Sequence, residues 1–197
     1  MREGFADGGR ELRKRASGAM SLQGRFPYGK RAVLSDGGRT GRPRKEVITP
    51  RAFGFRVDDP KEDIHLLVGH SYDRPLASRG AGTLELTDGD DALTFTATIS
   101  EDMQRVSYVQ DALTAMAAGL IVGISPGFRL PPKRAVAQPE KVEDEGFDPE
   151  NGAHNAIIRT VMQALLYELS IVTRPAYPEA QVEARSGDVP DRSDTLI

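Results

Sequence analysis

The sequence predicts an α+β protein that is mainly β, a small barrel or sandwich with helical insertions. Short stretches in which apolar and polar residues alternate recur along the chain, and only one segment has clear helical spacing. Turns rich in Gly, Asp and Pro punctuate these stretches, as a compact β protein requires. A chain of 197 residues fits one domain with frayed ends, and 39% apolar with 28% charged residues is an ordinary globular balance.

Residues 1–20 mix glycines with charges and lack apolar period, so a flexible arm is expected there, with a domain over 21–183. From Arg25 to Lys45 seven basic residues (Arg25, Lys30, Arg31, Arg39, Arg42, Arg44, Lys45) face one acid, Asp36, which reads as a charged surface. "IHLLVGH" puts Ile64, Leu66, Val68 and His70 on one face of a strand and His65 and Leu67 on the other. "TLELTDGDD" followed by "ALTFTATI" predicts a hairpin over 83–99, because Leu93, Phe95, Ala97 and Ile99 alternate with threonines. In "RVSYVQDALTAMAAG" Val106, Val109, Leu113 and Met116 recur at helical spacing, with Ser107 placed to cap the start and Gly119 to end the helix. "LIVGI" follows as a buried strand. Residues 129–156, acidic and broken by Pro and Gly over 139–150, read as a flexible loop. An apolar strand from Leu165 to Thr173 is stopped by Pro175 and Pro178, and 184–197 reads as a flexible tail.

Several classes of function are set aside by this pattern. No apolar run approaches the roughly 18 residues of a membrane span, and the N-terminal residues lack the apolar stretch of an export signal. With no cysteine there is no disulfide, cysteine nucleophile or thiolate metal site. The net charge of -3 gives no global reason to expect nucleic acid as a partner, and the basic stretch reads as a solvated surface. The three histidines, His65, His70 and His154, have no ligand spacing, so neither a metal nor another cofactor is expected. No phosphate-binding loop motif is present. "GISPG" matches the nucleophile-elbow pattern on paper, but that motif needs a helix directly after the serine, and here Pro-Gly-Phe-Arg-Leu-Pro-Pro follows.

A serine and a histidine at strand ends remain. Ser125 follows "LIVGI" and His70 follows "LLVG"; if the two strands are neighbours, hydroxyl and imidazole can meet at one rim as nucleophile and base. Spacing alone leaves the plain readings open, a turn-forming serine and a hydrogen-bonded histidine.

The ordered series "ITPRAF" (48–53), "LLVGHSYDRPLAS" (66–78), "AAGLIVGISPGF" (117–128) and "LYELSIVTRPAYPEA" (166–180) resembles the prohead, or capsid-maturation, serine proteases of tailed phages. The likeness spans roughly residues 22–182. It implies the β-barrel of the herpesvirus assemblins, with Ser125 as nucleophile, His70 as base and Glu168 as third member. A carboxylate in the apolar strand "LYELSIV" also needs a partner on physical grounds, and an imidazole N–H is a suitable one. Solvent, Arg159 or Arg174 are its other options, and Asp73, His65 or His154 the other candidates for the third position. Position 126, where relatives commonly have an N–H donor, is Pro, so the oxyanion must be met by the Gly127 amide, a water or an arginine such as Arg159.

The function implied is a serine endopeptidase, needing no cofactor, that cleaves the scaffold segment of the major capsid protein, and its own flanks, inside the assembling prohead in the host cytoplasm. A capsid or scaffold contact is expected, with residues 25–45 available for it. Assemblin-like relatives are activated by dimerisation, so a homo-oligomer is a further expectation. The competing readings are a noncatalytic assembly factor on the same barrel and an unrelated β-barrel binding module.

Overall fold

The structure, a computed structural model, describes residues 18–186; most of the expected arm (1–20) and tail (184–197) lies outside the described residues. In chain order the strands are β1 (Met20–Pro27), β2 (Arg31–Ser35), β3 (Arg44–Ile48), β4 (His65–Val68), β5 (Ser71–Ser78), β6 (Leu84–Asp88), β7 (Ala92–Ile99), β8 (Gly123–Arg129), β9 (Glu140–Asp144), β10 (Phe147–Asp148), β11 (Ala153–His154), β12 (Ile157–Val161), β13 (Leu165–Val172) and β14 (Gln181–Ser186). The helices are α1 (Gly54–Val57), α2 (Glu101–Gln104) and α3 (Ser107–Ala117). Eight strands form one sheet in the order β5-β4-β13-β8-β14-β1-β7-β6, which curls until β5 packs against β7 and nearly closes a barrel. The mainly β barrel with few helices is therefore what the alternation predicted.

The barrel closes around side chains sent inward at every second position. Leu93, Phe95, Ala97 and Ile99 of β7 are buried as their alternation required, and β6 pairs with β7 in the expected hairpin. Opposite Phe95 stands Gly24 of β1, and a Cβ there would overlap the Phe95 ring. Phe53 of "ITPRAF" is fully buried and meets Phe26 and Phe128 edge-on at 6.3 and 5.6 Å between centroids. Such a ring contributes about 1.5–3 kcal/mol by leaving water, so this segment acts as a plug in the barrel core.

Three local expectations are corrected. Ser107 does not cap α3: Val106 occupies that position, and the capping serine is Ser100, whose Oγ accepts the Met103 N–H at 3.2 Å to begin α2, the separate short helix that precedes α3. Gly119 does end α3, at φ +70°, and the Leu120 N–H bonds back to the Ala115 carbonyl at 2.8 Å. That closing turn explains the second correction: Leu120 and Val122 stay exposed, and the strand begins only at Gly123 and runs through Ser125 to Arg129. At the C-terminal end β14 continues to Ser186, pairing Leu22 with Ala184, so strand structure reaches into the segment read as tail.

The charged segments form a second sheet, β2-β3-β12-β9, with β3 and β12 parallel. Residues 129–156, read as a loop, supply β9, β10 and β11. Charge pairing joins this acidic segment to the basic one: Glu145 receives Lys45 at 2.5 Å and Arg31 at 3.1 Å, and Arg42 pairs with Asp144. Three of the basic residues expected to await a partner are thus engaged within the chain. The Glu145 carboxyl is pulled from an ordinary 4.5 down to about 2, first by the Lys45 hydrogen bond and then by the His154 amide.

Candidate active site

His70 does not continue the β4 alternation. β4 ends at Val68, and Gly69 and His70, at φ +60° and +62°, form the two-residue connection to β5, with Val68 paired to Ser71. Two consecutive positive φ values are what a tight type I′ hairpin demands, and histidine is among the few side chains that tolerate the second. The imidazole consequently leaves the core face on which the sequence placed it. The turn is fastened to β13 at two points: the Gly69 N–H donates to the Ile171 carbonyl at 3.1 Å, and the His70 N–H to Ser170 Oγ at 2.8 Å.

β13 presents Glu168 and Ser170 to the face turned away from the core, while Leu166, Leu169 and Ile171 point inward. Glu168 lies 2.7 Å from His70 Nδ1 through Oε1, and Ser170 Oγ donates to its other oxygen at 2.6 Å. Both carboxylate oxygens are partnered, which is what allows Glu168 to be 4% exposed. With a carboxylate on Nδ1, that nitrogen carries the proton and Nε2 is left as the acceptor. The His70 side chain is 47% exposed against 6% for Glu168, so the imidazole stands at the surface with the acid behind it.

Ser125 sits directly opposite Ser170 in the antiparallel β8–β13 pair, and Gly127 opposite Glu168. Opposed residues share a face with Cα atoms about 4.5–5.5 Å apart, so Ser125, Ser170 and Glu168 line one surface. Gly127 is required by this packing, since a Cβ there would overlap the Glu168 carboxylate. Gly123 is tight as well: its Cβ would come within 2.6 Å of both the Ala180 carbonyl and the Pro175 ring. The two glycines of "GISPG" therefore serve close approach within a continuous strand, and no strand-to-helix elbow forms. The Ser125 hydroxyl makes no hydrogen bond among the described residues; the structure joins His70 to Glu168 and brings Ser125 to the same face, without a His70–Ser125 bond.

Pro126 fits the strand for a related reason. The Ile124 N–H points toward β14, bonding Ala180 O at 3.3 Å, and β14 pairs with β8 only at Gly123. Alternation turns the Pro126 nitrogen to that same side, where no ladder bond is needed, and turns the Gly127 N–H toward β13. Arg159, the other donor considered for an oxyanion, is held by Glu46 at 3.0 Å and Glu140 at 2.5 Å in the second sheet. Of the alternatives for the third position, His65 faces Asp63 at 3.5 Å and Tyr72, His154 lies on β11, and Asp73 is exposed on β5. Ser170 went unrecognised in the sequence; its signal is the two-residue step from Glu168, which puts both on one strand face.

Among the described residues no helix is long and apolar enough to cross a membrane. No curated protein and no solved structure matches the chain. The family model of the Caudovirus prohead serine protease matches residues 35–192, a stretch that holds Ser125, His70 and Glu168, and the chain belongs to that family.

Proposed function

We propose that the protein is an active serine endopeptidase in which Ser125 is the nucleophile, His70 the general base and Glu168 the residue that orients the imidazole. The observation that carries this reading is the chain of contacts from the buried Glu168 carboxylate to His70 Nδ1, on the face that Ser125 shares. Nε2 takes the Ser125 proton as Oγ attacks the scissile carbonyl, then returns it to the departing amine, and water releases the acyl group. Glu168 stabilises the imidazolium that forms in between. Substrate binding closes the serine–imidazole hydrogen bond, which is often open in free enzymes. The oxyanion draws on donors other than the amide of residue 126, because Pro126 has none.

The substrates in this reading are the scaffold segment of the major capsid protein and the protease's own flanks, cut within the assembling prohead. Coexpression with the capsid precursor tests it. Wild type yields shortened capsid protein on a gel, and Ser125→Ala and His70→Ala each reduce processing by about 10⁴-fold or more. Unchanged processing by Ser125→Ala would assign the chain a noncatalytic assembly role.

A further inference from the structure

β8 sends Ser125, Gly127 and Arg129 to one face, because successive side chains of a strand alternate. Arg129 is four residues from Ser125, about 13 Å along the strand. Its guanidinium is exposed, and among the described residues it has no ion pair or hydrogen bond. An aromatic ring holds it instead: Arg129 Cζ lies 5.5 Å from the centroid of Tyr167. Tyr167 reaches that position through the bulge in β13 between Leu166 and Glu168, an irregularity of the kind that re-aims a side chain beside a site. Arg56 lies over the same ring at 4.1 Å, but its head is already taken by Glu62 at 2.6 Å and the Asp63 carbonyl at 3.1 Å. Tyr72, exposed on β5, completes the group. Burial first and then the Glu168 charge raise its phenol above the usual range, while Arg56 and Arg129 oppose this, which places all four residues within one electrostatic neighbourhood.

We propose that Arg129, seated on Tyr167, is a specificity-determining residue that binds an Asp or Glu side chain of the substrate peptide, three or four residues from the scissile bond. This deepens the protease reading of Ser125 and rests on it for the position of the bond. A guanidinium with a free planar fork matches a carboxylate in bidentate fashion, and the ring beneath restricts it before the ligand arrives. The spacing follows from geometry: an extended peptide advances about 3.3 Å per residue, so 13 Å corresponds to about four residues, and the length of the arginine side chain allows three.

The test uses fluorescent decapeptides in which each position in turn is Glu, Gln or Lys. Cleavage by wild type is mapped by mass spectrometry, and binding to the Ser125→Ala protein is measured by anisotropy, which needs no catalysis. Glu exceeds Gln by about tenfold or more at one position, three or four residues from the cut, as expected for a charge-assisted pair. Arg129→Glu reverses the preference to Lys, and Arg129→Gln, which keeps a long polar side chain on the ring, abolishes it. Equal binding of Glu and Gln peptides to the Ser125→Ala protein, or a preference that survives Arg129→Gln, overturns the proposal. Cleavage that depends on Ser125 but ignores peptide charge overturns it while leaving the protease reading intact. Arg129-dependent capture of Glu peptides with no cleavage by wild type sustains the acid-binding site and removes the protease reading.

Discussion

Ser170→Ala separates the two halves of the site with a single atom. Ser170 Oγ accepts the His70 N–H at 2.8 Å and donates to Glu168 Oε2 at 2.6 Å, and Ser170 is fully buried. Its removal leaves a carboxylate oxygen without its donor inside the fold and frees the amide of a residue at positive φ. A hydrogen bond to a charged group contributes about 1.5–3 kcal/mol and one from an amide about 0.5–1.5 kcal/mol. Allowing for the small gain from burying alanine, the expected destabilisation is about 2–4 kcal/mol. Urea denaturation reads this as a lower midpoint at unchanged slope, a shift of about 1 M or more for a slope of roughly 2 kcal/mol/M. Hydrogen exchange supplies the local readout, since the His70 amide loses its acceptor and exchanges faster while the Gly69 amide, held by Ile171 O, changes less. A loss below about 0.5 kcal/mol together with unaltered exchange at His70 would refute the idea that this hydroxyl fastens the turn to the acid.

Other consequences are equally specific. Gly127→Ala places a methyl where the Glu168 carboxylate lies, so it costs about 1–3 kcal/mol of stability. It also separates Glu168 from His70 Nδ1, and loss of the orienting acid lowers kcat by about 10²–10⁴-fold; a fully active Gly127→Ala enzyme would contradict the packing. Glu145 is held at about 2 in the folded chain against an ordinary 4.5, so its contribution to stability is complete above pH 4.5 and is lost as pH falls toward about 2. Glu145→Gln should therefore melt below wild type at neutral pH, with the gap closing across that acid window; a gap that persists to pH 2 would contradict the assignment.

Patterning revealed the strands whose two faces differ in chemistry. "ALTFTATI" gave β7 because its threonines face away from a continuous apolar row, and the helical spacing of Val109, Leu113 and Met116 gave α3. β1 escaped notice because Gly24 interrupts its inward row, and only the ring of Phe95 across the strand explains that glycine. The second sheet escaped because its cohesion is partly electrostatic: Lys45 and Arg31 find Glu145 roughly a hundred residues later, a pairing with no local period. At the site, Glu168 stood out as an acid among apolar neighbours, whereas the position of His70 depends on a two-residue turn that strand alternation cannot anticipate. Ser170 looked like one more small residue in a strand, since its role appears only when the turn carrying His70 docks on β13.

The central claim, that Ser125 is a nucleophile served by the His70–Glu168 pair, is tested most directly by covalent labelling. Treatment with an alkyl fluorophosphonate followed by peptide mapping should place a single adduct on the peptide containing Ser125, and His70→Ala should abolish it. An adduct on a different serine, or undiminished labelling of Ser125 in the His70→Ala protein, would contradict the claim.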